Sequence, residues 1–338
     1  MMKAIGYYRN LPISDPESLV DLDLPEPVPG ERDLLVEVHA VSVNPVDVKV
    51  RAGMAPEAGQ PKVIGWDASG VVRAVGKDVT LFKSGDRVWY AGSLLRAGTN
   101  SQLHVVDERI VGRMPQTLDF ASAAALPLTT ITAWELLFDR LNVPEGTAPT
   151  DDTLLVIGAA GGVGSILVQL ARQLTGLTVV GTASRPETAQ WVKDLGAHHV
   201  IDHSKPLSEE LKRIGFDGVD YIASLNQTDH HFEQIVASIN PQGRLALIDD
   251  PELFDFRKLK MKSVSLHWEF MYTRSMFSTR DQIRQHELLN RVASLIDSGV
   301  LRTTLNETFG TINAANLRRA HELLETNRAR GKIVLEGF

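Results

Sequence analysis

The stretch Thr153-Leu-Leu-Val-Ile-Gly-Ala-Ala-Gly-Gly-Val-Gly-Ser-Ile-Leu-Val-Gln-Leu-Ala-Arg-Gln-Leu174 decides the fold. Residues 154–157 are apolar and read as a short buried strand. Glycines follow at 158, 161, 162 and 164. Beyond them Val163, Leu167, Leu170, Ala171 and Leu174 recur at helical steps. Strand, glycine turn and helix in that order make the phosphate-binding element of a dinucleotide fold. The glycines let backbone N–H groups approach a pyrophosphate, and the helix N-terminus adds a favourable dipole. The spacing is Gly158-x-x-Gly161-x-x-Gly164, so the generic G-x-G-x-x-G pattern is half met.

Downstream, the alternation of strand and helix continues. Strands are expected at 178–182, 200–201, 218–224, 244–248 and 263–266, with helices at 186–195, 207–214 and 231–239 between them. That order implies a parallel sheet covered by helices on both faces. Upstream, residues 1–125 read as mostly β. Segments 3–8, 33–41, 68–75 and 86–90 are strand-like, and a proline-rich connector lies at 25–30. Glycine punctuation between many short strands suggests a barrel-like domain. Residues 117–142 switch to helix with Pro127 interrupting, and the tail returns to a helix at 280–297, a helix at 314–327 and strands at 305–309 and 332–335.

The length of 338 residues suits two domains. The net charge of −7 argues against a nucleic-acid surface, which needs a basic stripe. No run of about 18 apolar residues suggests a membrane helix, and the N-terminus lacks a signal-peptide pattern, so a cytoplasmic location is expected. The chain has no cysteine, which removes disulfides, thiol nucleophiles and thiolate zinc ligands together.

Several motifs in order give the chain a resemblance. Ser42-Val-Asn-Pro-Val-Asp47, Gly65-Trp-Asp-Ala-Ser-Gly70, Gly85-Asp-Arg-Val88, Ala124-Ala-Leu-Pro-Leu128, Gly158-Ala-Ala-Gly-Gly-Val-Gly164 and Gly331-Lys-Ile-Val-Leu335 run over nearly the whole length. Together they resemble the quinone oxidoreductase (zeta-crystallin-like) branch of the medium-chain dehydrogenase/reductase superfamily. The resemblance implies an α/β fold: a GroES-like, β-barrel-type catalytic domain plus a Rossmann domain with a doubly wound parallel sheet. The expected divisions are 1–125 for the first part of the catalytic domain, 126–272 for the Rossmann domain and 273–338 for the segment that completes the catalytic domain. A homodimer or homotetramer is also implied.

Zinc-dependent relatives in that superfamily carry a cysteine where this chain has Asn44 and a histidine where it has Trp66. None of the ten histidines pairs in a convincing ligand spacing. His198-His199 and His230-His231 read as surface residues beside a turn and a helix cap. No metal is expected. Without a Lewis acid on a bound alcohol, the chemistry left is hydride delivery to an electrophilic acceptor, a quinone or an α,β-unsaturated carbonyl.

NAD-preferring folds place an acid at the end of the second strand, for the ribose 2′-hydroxyl. Here that strand ends Gly181-Thr-Ala-Ser184-Arg185, with a hydroxyl and a guanidinium suited to a 2′-phosphate. The expected cofactor is NADPH. Gly158, Ala160, Gly161, Gly162, Val163 and Gly164 would form its phosphate loop. By resemblance, His203 contacts the adenosine end, and Asn44, Thr132 and Asn226 sit near the nicotinamide. Asp249, the backbone of Leu266 and Trp268, and Lys332 also line the cofactor.

Lys49 stands where quinone reductases commonly have tyrosine, and plant oxoene reductases resembling this chain have lysine there. It and Asn44 are the candidate catalytic residues, Lys49 to hold the ribose, steady an enolate or supply a proton. A surface lysine on a strand is the plainer reading of the same residue. Trp66, Phe270 and Tyr272 are candidates to line an apolar acceptor pocket, or else core aromatics. Two other functional readings stay open at this level: an NADPH-binding sensor or structural protein with little turnover, and an alcohol dehydrogenase or ketone reductase.

Overall fold

The computed structural model describes residues 1–338. Two compact units form, one from residues 1–131 with 272–338 and one from residues 132–271. In chain order the first unit begins with β1 (Met2–Tyr7), β2 (Val20–Leu24), β3 (Asp33–Val43), α1 (Pro45–Gly53) and β4 (Lys62–Val63). It continues with β5 (Ala68–Val75), β6 (Arg87–Tyr90), β7 (Leu103–Asp107), β8 (Val111–Arg113), α2 (Phe120–Ala124) and α3 (Pro127–Trp134), within which the chain leaves it. The second unit contains β9 (Thr153–Ile157), α4 (Gly162–Leu174), β10 (Thr178–Thr182), α5 (Pro186–Asp194), β11 (His199–Ile201) and α6 (Leu207–Arg213). It closes with β12 (Val219–Ser224), α7 (Thr228–Ser238), β13 (Ile239–Leu247) and β14 (Ser265–Trp268). Returning to the first unit, the chain forms α8 (Thr273–Met276), α9 (Arg284–Asp297), β15 (Leu305–Thr308), α10 (Ala314–Glu325) and β16 (Lys332–Glu336).

The first unit is built on β3. Its residues alternate as far as Ala40, so Leu34, Val36, Val38 and Ala40 are buried while Asp33, Leu35, Glu37 and His39 are half-buried. β3 pairs with β5, β7 and β16, in a sheet ordered β15-β16-β3-β5-β6-β8. β16 therefore lies between two strands, although it is the last element of the chain. Pro127 opens α3 rather than merely interrupting a helix. It sits where a helix has no N–H partner to lose, and the next amide, Leu128 N, donates to Asp67 Oδ1 at 2.8 Å.

One expectation is corrected here. Lys49 lies on a helix, α1, and not on a strand. Asn44 takes an extended backbone (φ −130°, ψ 155°) ahead of Pro45, and the Asp47 carboxylate accepts from Asn44 N at 2.8 Å. These are helix-start features. They turn the chain into a helix in spite of valines at 46, 48 and 50.

The second unit is a six-stranded parallel sheet ordered β11-β10-β9-β12-β13-β14. The order runs outward from β9 in both directions, which puts the switch point between β9 and β12. Leu155, Val180, Ile222, Phe232, Ile235 and Leu245 belong to its core. After Trp134 the helix widens into a π-helical turn, Glu135–Arg140. Phe120–Arg140 is the one helical stretch long and apolar enough to cross a membrane by length and composition, but 83% of its apolar window is buried in the protein. It is a mostly buried stretch interrupted by polar residues and Pro127, so no clear membrane-spanning helix is present.

Candidate functional site

The second unit carries the glycine turn between β9 and α4. Gly158 adopts φ +82°, a left-handed conformation that glycine takes without strain. Its N–H donates to Thr182 Oγ1 at 3.1 Å, which ties the turn to the end of β10. Gly164 packs hard on the turn: a Cβ there would come within 2.4 Å of Gly158 O and 2.6 Å of Ala159 Cα. Gly161, which precedes α4, is the opposite. A Cβ there would meet only Gly158 O, at 3.4 Å, so open space lies in front of it. The leading amides of α4 face forward with no intrahelical acceptor. That cradle fits a pyrophosphate.

Four other expected residues follow the ends of neighbouring strands. Asn226 follows β12 at the switch point, and a Cβ on Gly158 would come within 2.8 Å of its Oδ1. Ser184 is exposed just past β10. Arg185 precedes α5 in extended conformation, and its Nε lies 3.4 Å from Glu187 Oε1. Sequence reasoning missed Glu187, because the rule it used looks for an acid on the strand itself. The adjoining strand is held by Ala183 N donating to Ile201 O at 2.9 Å, and His203 stands two residues beyond. His203 Nδ1 is buried without a hydrogen-bond partner, and burial lowers its pKa.

The remaining expected residues of this unit are placed differently. Asp249 spends its carboxylate on the start of α7, accepting from Thr228 N at 2.8 Å and from Thr228 Oγ1. Leu266 is half-buried on β14, while Trp268 and Phe270 are 51% and 47% exposed. Thr132 is buried on α3. His231 is buried too, which corrects its reading as a surface histidine, and its ring lies 6.1 Å from that of His203. Three residues past Thr132, the buried Glu135 is hydrogen-bonded to the buried Glu269. Arg140 Nε donates to Glu269 Oε2 at 2.8 Å. Burial and then the neighbouring Glu135 push Glu269 up to about 9, against the pull of Arg140.

In the first unit the motif residues converge on a buried polar network. Asp67 Oδ2 accepts from Asn44 Nδ2 at 2.8 Å and from Lys332 Nζ at 3.2 Å. Lys332 Nζ also donates to Val43 O at 3.0 Å and to Asn44 Oδ1. The Asn44 amide is thus held at both ends, and its nitrogen also reaches Ser42 O at 3.3 Å. Lys332 is 3% exposed, on a strand that lies between β15 and β3. Burial raises Asp67 and lowers Lys332, and their mutual attraction opposes both shifts. Asp47 turns inward to the same group with Oδ1 unpartnered, and burial pushes it up to about 7. Lys49, two residues on, is exposed. Two residues span more than half a helical turn, so the pair cannot meet.

Trp66 and Tyr272 are 1% and 2% exposed. Their rings meet edge to face at 6.5 Å, and Trp66 Nε1 donates to Ser93 O at 3.1 Å. Both side chains are buried in this unit, the second of the two readings offered for them. Burial raises the Tyr272 phenol, as do the nearby charges of Asp47 and Asp67.

Comparison with known proteins agrees with this architecture. Residues 30–116 match the alcohol dehydrogenase GroES-like domain, and residues 195–335 match the zinc-binding dehydrogenase domain. A zinc-type alcohol dehydrogenase-like protein of Staphylococcus aureus is 38% identical over 336 residues, 99% of each chain. A quinone oxidoreductase of Pseudomonas aeruginosa is 31% identical, with 95% of this chain and 96% of that protein covered. Among solved structures, a putative zinc-dependent alcohol dehydrogenase from Rhizobium etli matches with a TM-score of 0.96 at 57% identity, covering 100% of this chain and 98% of that one. Escherichia coli quinone oxidoreductase complexed with NADPH matches with a TM-score of 0.83 at 28% identity, covering 99% of each chain. The names speak of zinc, but the residues here do not fit it. No group of three or more His, Cys, Asp or Glu side chains is placed to hold a metal ion, and the Asn44 amide is engaged by Asp67 and Lys332. With GroES-like and Rossmann-type units in place and full-length relatives at this identity, the chain belongs to the medium-chain dehydrogenase/reductase superfamily of oxidoreductases, among its zinc-type alcohol dehydrogenase-like proteins.

Proposed function

We propose that this oxidoreductase uses NADPH, works without zinc, and reduces quinones or α,β-unsaturated carbonyls. The observation that carries the reading is the end of β10. There a hydroxyl and a guanidinium, Ser184 and Arg185, follow the strand, and no carboxylate stands on the strand itself. A guanidinium fork suits a phosphate dianion. The names of the Pseudomonas aeruginosa and Escherichia coli relatives point the same way.

Bound NADPH supplies the hydride. The chain's part is to hold and polarise. The Gly158–Gly164 turn and the α4 N-terminus take the pyrophosphate. Ser184 and Arg185 take the 2′-phosphate, with His203 at the adjoining strand end. In this reading Lys49, which is exposed on α1, steadies negative charge on the acceptor oxygen or supplies its proton. Asn44 serves through the network that fixes it. The working unit in this proposal is a homodimer or homotetramer, which light scattering reads directly.

The test is cofactor consumption, with NADPH and NADH side by side, against a quinone, an alkenal, an alkenone and a simple ketone, with and without a chelator. NADPH-selective, chelator-insensitive turnover of quinone or enone is expected. Chelator-sensitive ketone reduction would overturn the metal argument. Tight NADPH binding without turnover would move the protein to a sensing or structural role. Arg185→Ala is expected to weaken NADPH far more than NADH, and equal losses would remove the 2′-phosphate assignment.

A further inference from the structure

The guanidinium assigned to the 2′-phosphate does not stand by itself. Arg185 Nε lies 3.4 Å from Glu187 Oε1, and the two side chains are 42% and 55% exposed. Both sit at the start of α5, Arg185 just ahead of the helix and Glu187 in its first turn, with Pro186 between them. The position is rigid. Pro186 fixes its own φ, and Thr188 Oγ1 donates back to Arg185 O at 2.9 Å. Beneath, α5 packs closely on β10: a Cβ on Gly181 would come within 2.5 Å of Val192 Cγ1. The backbone that carries the carboxylate and the guanidinium is therefore fixed, with the two groups 3.4 Å apart.

Two effects follow for a dinucleotide. A bidentate grip on phosphate uses two adjacent N–H groups of the arginine fork, and Glu187 already draws on the Nε edge. Its negative charge also stands against an incoming dianion. A dinucleotide with a bare ribose meets the reverse, because a carboxylate just beyond the second strand is an acceptor for a 2′-hydroxyl. We infer that Glu187 is a specificity-determining residue that opposes Arg185, holding down the preference for NADPH and keeping a claim on NADH. The inference rests on the NADPH reading above.

The test is a set of equilibrium titrations of the whole protein with NADPH and with NADH, at low and at high salt. Parent, Glu187→Gln and Arg185→Ala are compared, with a melting curve for each. Glu187→Gln is expected to tighten NADPH by about two- to fivefold, the range of an exposed ion pair. It should leave NADH unchanged or weaker, and the effect should shrink as salt rises. An NADPH-to-NADH affinity ratio that stays the same or falls in Glu187→Gln would overturn the inference. Arg185→Ala separates the two failures. If it weakens both cofactors equally, the NADPH reading falls. If it weakens NADPH selectively while Glu187→Gln leaves the ratio unmoved, only the role of Glu187 falls.

Discussion

Lys332 Nζ lies 3.2 Å from Asp67 Oδ2, and neither side chain is exposed beyond 3%. A buried ion pair is weak evidence for net stability, but breaking it from one side is costly, because the other charge stays buried. Lys332→Met is therefore expected to destabilise the protein by about 3–5 kcal/mol. The double variant Lys332→Met with Asp67→Asn should lose less than the sum of the two single losses. Urea unfolding of the four proteins checks this, and additive losses would mean that the two groups do not depend on one another.

Asp47 gives a pH dependence of definite sign. Its folded-state pKa is raised from 3.8 to about 7, chiefly by burial, with Asp67 adding to the shift and Lys332 and the Asn44 amide opposing it. In that window the folded protein holds a proton that the unfolded chain has lost, so stability falls as pH rises from 3.8 to about 7. Tyr272, Asp67, Lys332 and Asn44 are the polar groups around it. Asp47→Asn keeps an acceptor for Asn44 N and removes the titration. Its stability relative to parent should improve from pH 5 to pH 8, by about 3 kcal/mol at most. A difference that is flat over this range would show that Asp47 does not bind the proton.

His321 acts in the opposite sense. It is fully buried on α10, neither ring nitrogen has a partner, and burial followed by the Arg51 charge lowers it from 6.5 to about 3. The unfolded chain takes up this proton first, so stability is lost as pH falls from 6.5 towards 3. His321→Leu should soften that acid limb, by up to about 5 kcal/mol. His104, lowered to about 4 by burial, keeps part of the limb in place. Acid unfolding followed by circular dichroism distinguishes the variant from parent; identical acid midpoints would count against His321.

Lys49→Met tests the remaining catalytic assignment. The side chain is exposed on α1, so stability should stay within about 0.5 kcal/mol of parent. Turnover of quinone or enone should fall by about a hundredfold. Unchanged turnover would leave Lys49 as a solvated helix charge.

The second unit was legible because its signals are local. Each strand, turn and helix from Thr153 to Trp268 lies within a short window, and the apolar run before Gly158 announces the sheet. α1 was not legible, because Val46, Val48 and Val50 suggest a strand while its true start rests on Asn44, Pro45 and Asp47 acting together. The network was half legible. Asn44 and Lys332 could be singled out as residues, but their junction at Asp67 spans 265 positions of sequence and leaves no periodicity. Glu135 and Glu269 were missed for the same reason, since a carboxyl pair is visible only once a π-helical turn and the end of a strand are brought together. Glu187 did have a signal, its place two residues after Arg185 in the first turn of α5.

The place of β16 between β15 and β3 has a consequence for synthesis on the ribosome. Asp67 emerges early and has to wait for its counter-ion until Lys332, 265 positions later, appears. The second unit, made of one continuous segment, has all its strands in hand well before that. The nascent chain thus carries a finished nucleotide-binding half behind an incomplete first half, whose acid at position 67 lacks the cation that neutralises it in the finished protein.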